Sequence, residues 1–299
     1  MATAVESTTS TGTAPLARTG GSRADRTKKT LFVIAGVLAV IVFVVPLLWA
    51  MMRSLQPNSV ITAAPDPATF FGFTLDNFRG LASFGNLLQS VGNSLIVALG
   101  TALLTMVVAT LAGYGFAAFR FRLSSTAFAL ILITMMIPFQ AIITPLFMEL
   151  NALGLTNSRL GLILFYSTVN LPFGVFVMRT AFSAVPRELE EAANVDGAGI
   201  LRTLFSVVMP LIVPGMATTA LYAFLAAWTE FLGALTFLTD QHLYTLPVAL
   251  LNLQQGGYGE INYGFLSAGA VVAMIPCVVL FLALQRYYVA GLASGAVKG

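Results

Sequence analysis

The stretch PRELEEAANVDGAG, residues 186–199, is a charged segment in an otherwise strongly apolar chain. Charged residues make up 9% of the 299 residues, yet five of them lie within ten consecutive positions here. They are Arg187, Glu188, Glu190, Glu191 and Asp196. Each charge placed at the centre of a bilayer costs about 2.5–3.5 kcal/mol. The segment is therefore expected to face water, and on the cytoplasmic side it would offer a platform to another protein.

The rest of the chain has the composition of a membrane protein. Hydrophobic residues make up 58% of it and the mean hydropathy is +0.88, which excludes a water-soluble globular fold. Six uncharged runs of at least 19 residues are each long enough to cross a hydrocarbon core of about 30 Å. They are residues 30–52, 80–119, 123–148, 160–178, 203–229 and 261–285. They predict an all-α polytopic membrane protein with six transmembrane helices, the second running from about Asn93 to Phe119.

The distribution of basic residues predicts the orientation. Residues 1–29 are rich in Ser, Thr, Gly and Ala and are predicted to form a disordered cytoplasmic tail that is not a cleaved signal peptide. With this tail inside, twelve of the 15 Lys and Arg residues fall on the cytoplasmic side, and only Arg53, Arg79 and Arg159 fall outside. The positive-inside rule selects this orientation. It places residues 30–289 in the membrane domain, and the charged segment and a C-terminal tail, residues 290–299, in the cytoplasm.

The charged segment has the pattern of a helical hairpin. Pro186 suits a first helical turn, and the glutamates that follow lie at the positive end of the helix dipole. Asp196-Gly197 is typical of a helix end, since glycine adopts positive φ without strain. A second, amphipathic segment, Ile200 to Met209, leads into the next span. From the residues alone, this is either a rigid element that passes movement to the membrane bundle or a solvated loop.

Five of the prolines lie inside four of the six runs. Proline removes a helical hydrogen bond and kinks the helix, which suits a bundle that changes shape. Proline is also common in membrane helices in general, so these positions alone do not demonstrate transport. The residues are Pro46, Pro138, Pro145, Pro172 and Pro276.

Three segments resemble a known family. EAANVDGAGILRTLFSVVMPLIVP, residues 191–214, resembles the EAA loop of importer-type ATP-binding-cassette permeases. QRYYVAGLASGAVKG, residues 285–299, is similar to the tail of the smaller six-span subunit of maltose-type carbohydrate-uptake permeases. WTEFLGALTFL, residues 228–238, resembles the WNEF segment of that family, with Thr229 where Asn is usual. The matched EAA positions are Glu191-Ala192-Ala193, Asp196-Gly197-Ala198, Phe205 and Pro210.

The resemblance implies a type I importer permease whose cytoplasmic coupling helix, in the EAA loop of residues 186–206, docks on an ATP-binding subunit. Glu191 would be the charged anchor, Ala192 and Ala193 the close-packing face, and Asp196-Gly197 the turn. The implied partners are a second homologous permease subunit, two ATP-binding subunits, an extracellular solute-binding protein and a sugar, in a bacterial cell membrane. This chain has no GxxxxGK[ST] phosphate loop, so ATP and Mg²⁺ are expected on the partner subunits and no cofactor is expected here.

The resemblance also suggests two groups of contact residues. The outer loop between spans five and six would reach into the cleft of the binding protein, although a plain polar loop explains it equally well. The loop residues are Gln254, Gln255, Gly256, Gly257 and Tyr258. Polar residues within spans usually face the bundle interior. The substrate-path candidates are Gln140, Asn170, Trp228 and Glu230. The alternatives are interhelical hydrogen bonds for Gln140 and Asn170 and an interfacial anchor for Trp228.

Other functional classes fit less well. An ion-coupled secondary transporter usually carries intramembrane charge pairs and an inverted repeat, and neither is visible in the sequence. An intramembrane enzyme would need a nucleophile with a base or a cluster of metal ligands, so no catalytic and no metal-binding residue is expected. Within the permease family, the nearest alternative substrate is another small solute, such as glycerol phosphate.

Overall fold

The computed structural model describes residues 23–64, 72–83, 87–119, 121–254 and 261–296, with side chains from residue 28 to residue 285. The regular elements in these ranges are helices, which confirms the all-α prediction. The chain divides into two compact units, residues 1–49 and residues 50–299.

The described part of the first unit is one long apolar helix. Helix α1 (Arg23–Ser54) begins in this unit, contains Pro46 and ends in the second unit. Its 27 residues from Lys28 to Ser54 are long and apolar enough to cross a membrane. The predicted disordered tail, residues 1–29, lies outside the described residues up to residue 22, and from Arg23 onward the chain is helical.

The second unit is a series of helices with short connections. Two short turns of other helix types lie among them, a π-helical turn (Leu204–Val208) and a 3₁₀ turn (Gln241–Leu243). The last described helix (Tyr263–Ala296) continues into the residues predicted as a tail. In chain order the helices are α2 (Asn58–Thr62), α3 (Asp76–Ser83), α4 (Leu87–Ala118), α5 (Ser124–Thr134), α6 (Phe139–Ala152), α7 (Arg159–Ser183), α8 (Arg187–Val195), α9 (Ile200–Thr203), α10 (Met209–Thr229), α11 (Leu232–Phe237), α12 (Leu246–Gln254) and α13 (Tyr263–Ala296).

The number of spans agrees with the prediction, but the third span is not one helix. Among the described residues five helical stretches are long and apolar enough to cross a membrane, and six are counted when the pair α5 and α6 is taken as one span. That pair bends by 100° between the end of α5 at Thr134 and the start of α6 at Phe139, and Pro138 stands directly before α6. Proline lacks an N–H and forces the residue before it out of the helical region, so a helix cannot run on through this position. The prediction of one continuous span over residues 123–148 is therefore corrected, because the pair is either a broken span or a re-entrant loop.

The second helix begins earlier than predicted. Helix α4 starts at Leu87, whereas the sequence predicts a start near Asn93. The amide of Asn93 donates to the backbone carbonyls of His242 at 2.8 Å and Tyr244 at 3.0 Å, and the Leu246 N–H donates to the Ser94 hydroxyl at 2.8 Å. These polar side chains are buried in the helix because a distant loop satisfies them.

The core of the second unit is the close packing of α4 against α7 and α10. A Cβ atom on Gly174 of α7 would lie 2.9 Å from the Ala109 Cβ and 3.0 Å from the Thr219 Cγ2, so this position admits only glycine without a shift. Small residues let membrane helices approach closely. In lipid the hydrophobic effect does not drive helices together, so van der Waals contact between them stabilises the packing. Residues 186–206 and the bend between α5 and α6, which are described below, both pack against helices of this core.

Substitution of Gly113 by alanine tests this packing. The new Cβ would lie 2.6 Å from the Met178 Cβ and 2.8 Å from the backbone nitrogen of Arg179, so α4 and α7 would have to separate. We expect a loss of about 1–3 kcal/mol in stability, measured as a lower melting temperature in detergent. Gly115→Ala is the matched control, because nothing lies within 4 Å of its Cβ position. Equal melting temperatures for the two variants would contradict the close approach at Gly113.

Candidate functional site

Residues 186–206, here called the hairpin, fold as the sequence predicts. Helix α8 begins after Pro186, and Glu188 and Glu190 lie in its first turn, where the helix dipole favours negative charge. Gly197 has a φ of +78°, and its N–H donates to the Asn194 carbonyl at 3.0 Å. The Ala198 N–H donates to the Ala193 carbonyl at 2.9 Å. This pair of bonds is a Schellman motif, which closes the C-terminus of α8 and makes the turn rigid.

The hairpin continues into the membrane without a loop. Helix α9, the π turn and α10 form one helical stretch of 30 residues from Ile200 to Thr229. In the π turn the Met209 N–H donates to the Leu204 carbonyl, five residues back, and the adjacent Pro210 has no N–H to donate to the Ser206 carbonyl. Helix α8 packs against this turn, in which Leu204 and Val208 are buried. The hairpin is therefore connected to α10 by continuous helix and by the packing of α8 on the π turn.

The hairpin presents both charged and apolar side chains at its surface. Glu191, Ala192, Asp196 and Gly197 are exposed, whereas Ala193 is only 9% exposed and packs into the chain itself. Of the two predicted close-packing alanines, only Ala192 is thus open to a partner. Five large apolar side chains are exposed as well, which is the pattern of an interaction surface. They are Val195 at 88%, Leu201 at 70%, Ile200 at 64%, Phe205 at 60% and Leu189 at 40% exposure.

Sequence reasoning named only Phe205 among these apolar residues. The sequence signal that could identify the others is that bulky apolar residues lie on both sides of a charged glycine turn that must face water. Next to the hairpin lies a cleft of about 600 Å³, lined by Glu190 and Glu191 of α8 and by Tyr114 near the end of α4. The charged anchor predicted from the sequence therefore lies beside a recess between the hairpin and the core.

The four substrate-path candidates do not form one site. Trp228 is 3% exposed, its indole N–H donates to the Ala273 carbonyl at 3.0 Å, and its ring stacks on Phe224. Glu230 accepts hydrogen bonds from the Tyr166 hydroxyl and, at 2.8 Å, from the Gly233 N–H at the start of α11. Trp228 and Glu230 thus hold helix ends together in this conformation. Their contact with substrate stays a prediction.

The other two candidates lie near the bend between α5 and α6. Asn170 is buried and lines a cleft of about 750 Å³ at that bend, here called the bend cleft. Gln140 is exposed near the start of α6 but is not among the residues that line this cleft. Two aromatic residues that the sequence did not single out, Phe173 and Tyr222, line it together with Asn170. No periodic pattern in the sequence indicates this pair, because Phe173 lies on α7 and Tyr222 lies on α10.

The predicted binding-protein loop lies mostly outside the described residues. Gln254 is exposed at the end of α12, while Gln255, Gly256, Gly257 and Tyr258 fall in the undescribed range 255–260. The role of this loop stays a prediction.

Comparison with known proteins places the chain among transport proteins. The trehalose transport system permease protein of Mycobacterium tuberculosis is 34% identical over 91% of this chain and 98% of its own length. The trehalose/maltose transport system permease protein of Thermococcus litoralis is 32% identical over 93% of this chain and 99% of its own length. A bacterial ABC transporter that imports the polysaccharide alginate contains a chain of the same fold, with a TM-score of 0.77, 20% identity, and coverage of 90% of this chain and 99% of that one.

A family model extends over most of the membrane domain. The model for binding-protein-dependent transport system inner membrane components matches residues 106–294, a range that contains the hairpin, α10 and α13. This match and the relatives confirm the resemblance to ABC importer permeases of the carbohydrate-uptake type and the prediction of a multi-pass membrane protein. The chain belongs to the family of binding-protein-dependent transport system inner membrane components.

Proposed function

We propose that this chain is one of the two membrane-spanning subunits of an ATP-driven carbohydrate importer and forms half of its translocation path. The observation that carries the proposal is the exposed hairpin, which is continuous with a membrane-crossing helix. Relatives that align over more than nine tenths of the chain are permeases for trehalose or for trehalose and maltose, which supports a sugar as the solute.

The hairpin couples ATP hydrolysis to the membrane bundle. An ATP-binding subunit would bury the exposed apolar side chains of the hairpin and pair a basic residue with Glu191. Its closure on ATP would push α8, and the push would reach α10 through the π turn and then α4 and α7 through their close packing. ATP and Mg²⁺ bind to two such partner subunits, and this chain is not itself an enzyme.

The remaining partners complete the transport path. A second homologous permease subunit supplies the other half of the path, and an extracellular solute-binding protein delivers the sugar. The loop from Gln254 to Tyr258 enters the cleft of that protein. The hairpin and both termini lie in the cytoplasm, as the distribution of basic residues predicts.

Reversal of the charge at the anchor tests the coupling role. Glu191→Lys places a like charge opposite the basic residue of the ATP-binding subunit, which costs several kcal/mol at an interface. We expect sugar uptake, and the ATP hydrolysis stimulated by loaded binding protein, to fall by about tenfold or more. The variant should still insert in the membrane, as measured by its amount in the membrane fraction.

The control for this variant is Asp76→Lys on α3, which is the same charge change outside the hairpin. The exposed Asp76 pairs with Arg79 at 3.6 Å, a surface ion pair that contributes little. Uptake close to that of the wild type is expected for this control. Normal uptake in the Glu191→Lys variant would refute the coupling role of Glu191.

The orientation is tested with single cysteines in a Cys277→Ala background, since Cys277 is the only cysteine of the chain. Val195→Cys reports on the hairpin, and Leu153→Cys reports on the connection between α6 and α7; both positions are exposed. A membrane-impermeant maleimide should label Leu153→Cys in intact cells and Val195→Cys only after permeabilisation. The reverse pattern would overturn the orientation.

The energy source and the solute are tested in proteoliposomes that contain the complete transporter. We expect uptake of radiolabelled trehalose or maltose to require ATP inside and binding protein outside, and to persist when ionophores collapse the ion gradients. Glycerol 3-phosphate is included as the alternative solute. Uptake by this chain alone without ATP would instead show an ion-coupled transporter, and uptake of glycerol 3-phosphate alone would exclude a sugar.

A further inference from the structure

We propose that the bend cleft is a sugar-binding subsite of this subunit, in which a sugar ring stacks on Tyr222 and its hydroxyl groups donate to acceptors on α7. The inference rests on the proposed function and adds to it a place and a chemistry for the bound sugar.

The bend itself creates the space. The chain leaves the helical path between Thr134 and Phe139, and α5 and α6 diverge by 100°. The cleft between this bend, α7 and α10 has a volume of about 750 Å³. Small-molecule sites have volumes of about 300–1,000 Å³, with mostly apolar walls and a few placed polar groups. The cleft therefore has the size and the wall chemistry for a sugar of one to a few rings.

Two aromatic rings form one wall of the cleft. The ring centroids of Phe173 on α7 and Tyr222 on α10 lie 4.0 Å apart with an interplanar angle of 35°. Phe173 is half-buried and holds the Tyr222 ring in place, while Tyr222 itself is 42% exposed. A sugar ring has an apolar C–H face that packs on a flat aromatic surface, and a tyrosine adds a hydroxyl at the edge of that surface. Tyr222, rather than the buried Trp228, has the exposure that stacking requires.

Hydrogen-bond acceptors lie along the adjacent helix. The amide nitrogen of Asn170 already donates to the Tyr166 carbonyl at 2.8 Å, so its Oδ1 remains as an acceptor. Pro172 has no N–H to donate to the carbonyl of Thr168, and both residues line the cleft. The exposed carboxylate of Glu149 lines it as well. Sugar hydroxyl groups are donors that match these acceptors.

The depth of these groups argues against a lipid-facing surface. Asn170 lies near the middle of the 25-residue helix α7, and an unsatisfied polar group at that depth in hydrocarbon costs several kcal/mol. Polar residues at such depth instead face the bundle interior or a water-filled path. The cleft thus belongs to the translocation path, where a sugar replaces water at these acceptors.

The test compares Tyr222→Leu with Tyr222→Phe in the complete transporter, purified with its native partners and reconstituted in proteoliposomes. Leucine keeps the apolar bulk and removes the flat ring, whereas phenylalanine keeps the ring. Uptake of [¹⁴C]maltose and [¹⁴C]trehalose is measured per ATP hydrolysed. We expect Tyr222→Leu to lower this ratio by about three- to tenfold, the factor given by loss of one stacking contact, and Tyr222→Phe to lower it by less than about twofold.

A second variant and a control complete the design. Asn170→Leu removes the acceptor at similar side-chain size and should lower the ratio in the same way. Phe176→Ala is the control, since Phe176 is an exposed aromatic of α7 that does not line the cleft, and it should leave the ratio unchanged.

The outcomes separate the subsite from the proposed function. If the wild type takes up either sugar while Tyr222→Leu and Asn170→Leu match its uptake per ATP, the subsite is refuted and the importer stands. If Tyr222→Leu loses the second permease subunit during purification, the cleft is a subunit contact and the subsite is again refuted. If the wild type takes up neither of these sugars nor any other, the proposed function is refuted, and the subsite, which rests on it, is refuted as well.

Discussion

The contact of α4 with α7 and α10 is the constraint on which the other features of this protein depend. In lipid no hydrophobic drive holds helices together, so association relies on close van der Waals contact. Gly113 and Gly174 provide it, because a side chain at either position would collide with the neighbouring helix. The resulting core supports the hairpin, and two of its helices, α7 and α10, also border the bend cleft.

The hairpin is joined to a helix long enough to cross a membrane, with no flexible loop between them. The Schellman motif at Gly197 ends α8. The π turn after α9 lies next to Pro210, which has no N–H to donate, and the helix continues through this turn into α10. Flexible linkers dissipate a displacement, whereas a packed turn and an unbroken helix transmit it. The exposed apolar residues beside the acidic ones then give a partner protein both contact area and charge complementarity.

The bend between α5 and α6 shapes the bend cleft. Helix α5 ends at Thr134, Pro138 stands directly before α6, and the two helices diverge by 100°. Residues of this bend line the cleft together with Asn170 of α7 and Tyr222 of α10. Irregular backbone at membrane depth is tolerated only where protein or a water-filled cavity satisfies its polar groups. The proposed sugar subsite thus lies where the helical path is interrupted.

The sequence by itself determined the helical membrane class, the approximate spans and the hairpin with its glycine turn, because long apolar runs, charge clusters and Asp-Gly helix ends are local signals. The family resemblance came from contiguous motifs for the same reason. Proline at position 138 indicated a kink, but the size of the bend, 100°, came only from the structure. Tertiary structure alone decided the burial of the polar start of α4 and the inward packing of Ala193. It also decided that Trp228 is buried while Tyr222 is exposed. These features depend on contacts between residues far apart in the chain, such as Asn93 with Tyr244 and Phe173 with Tyr222, and no local pattern encodes such pairs.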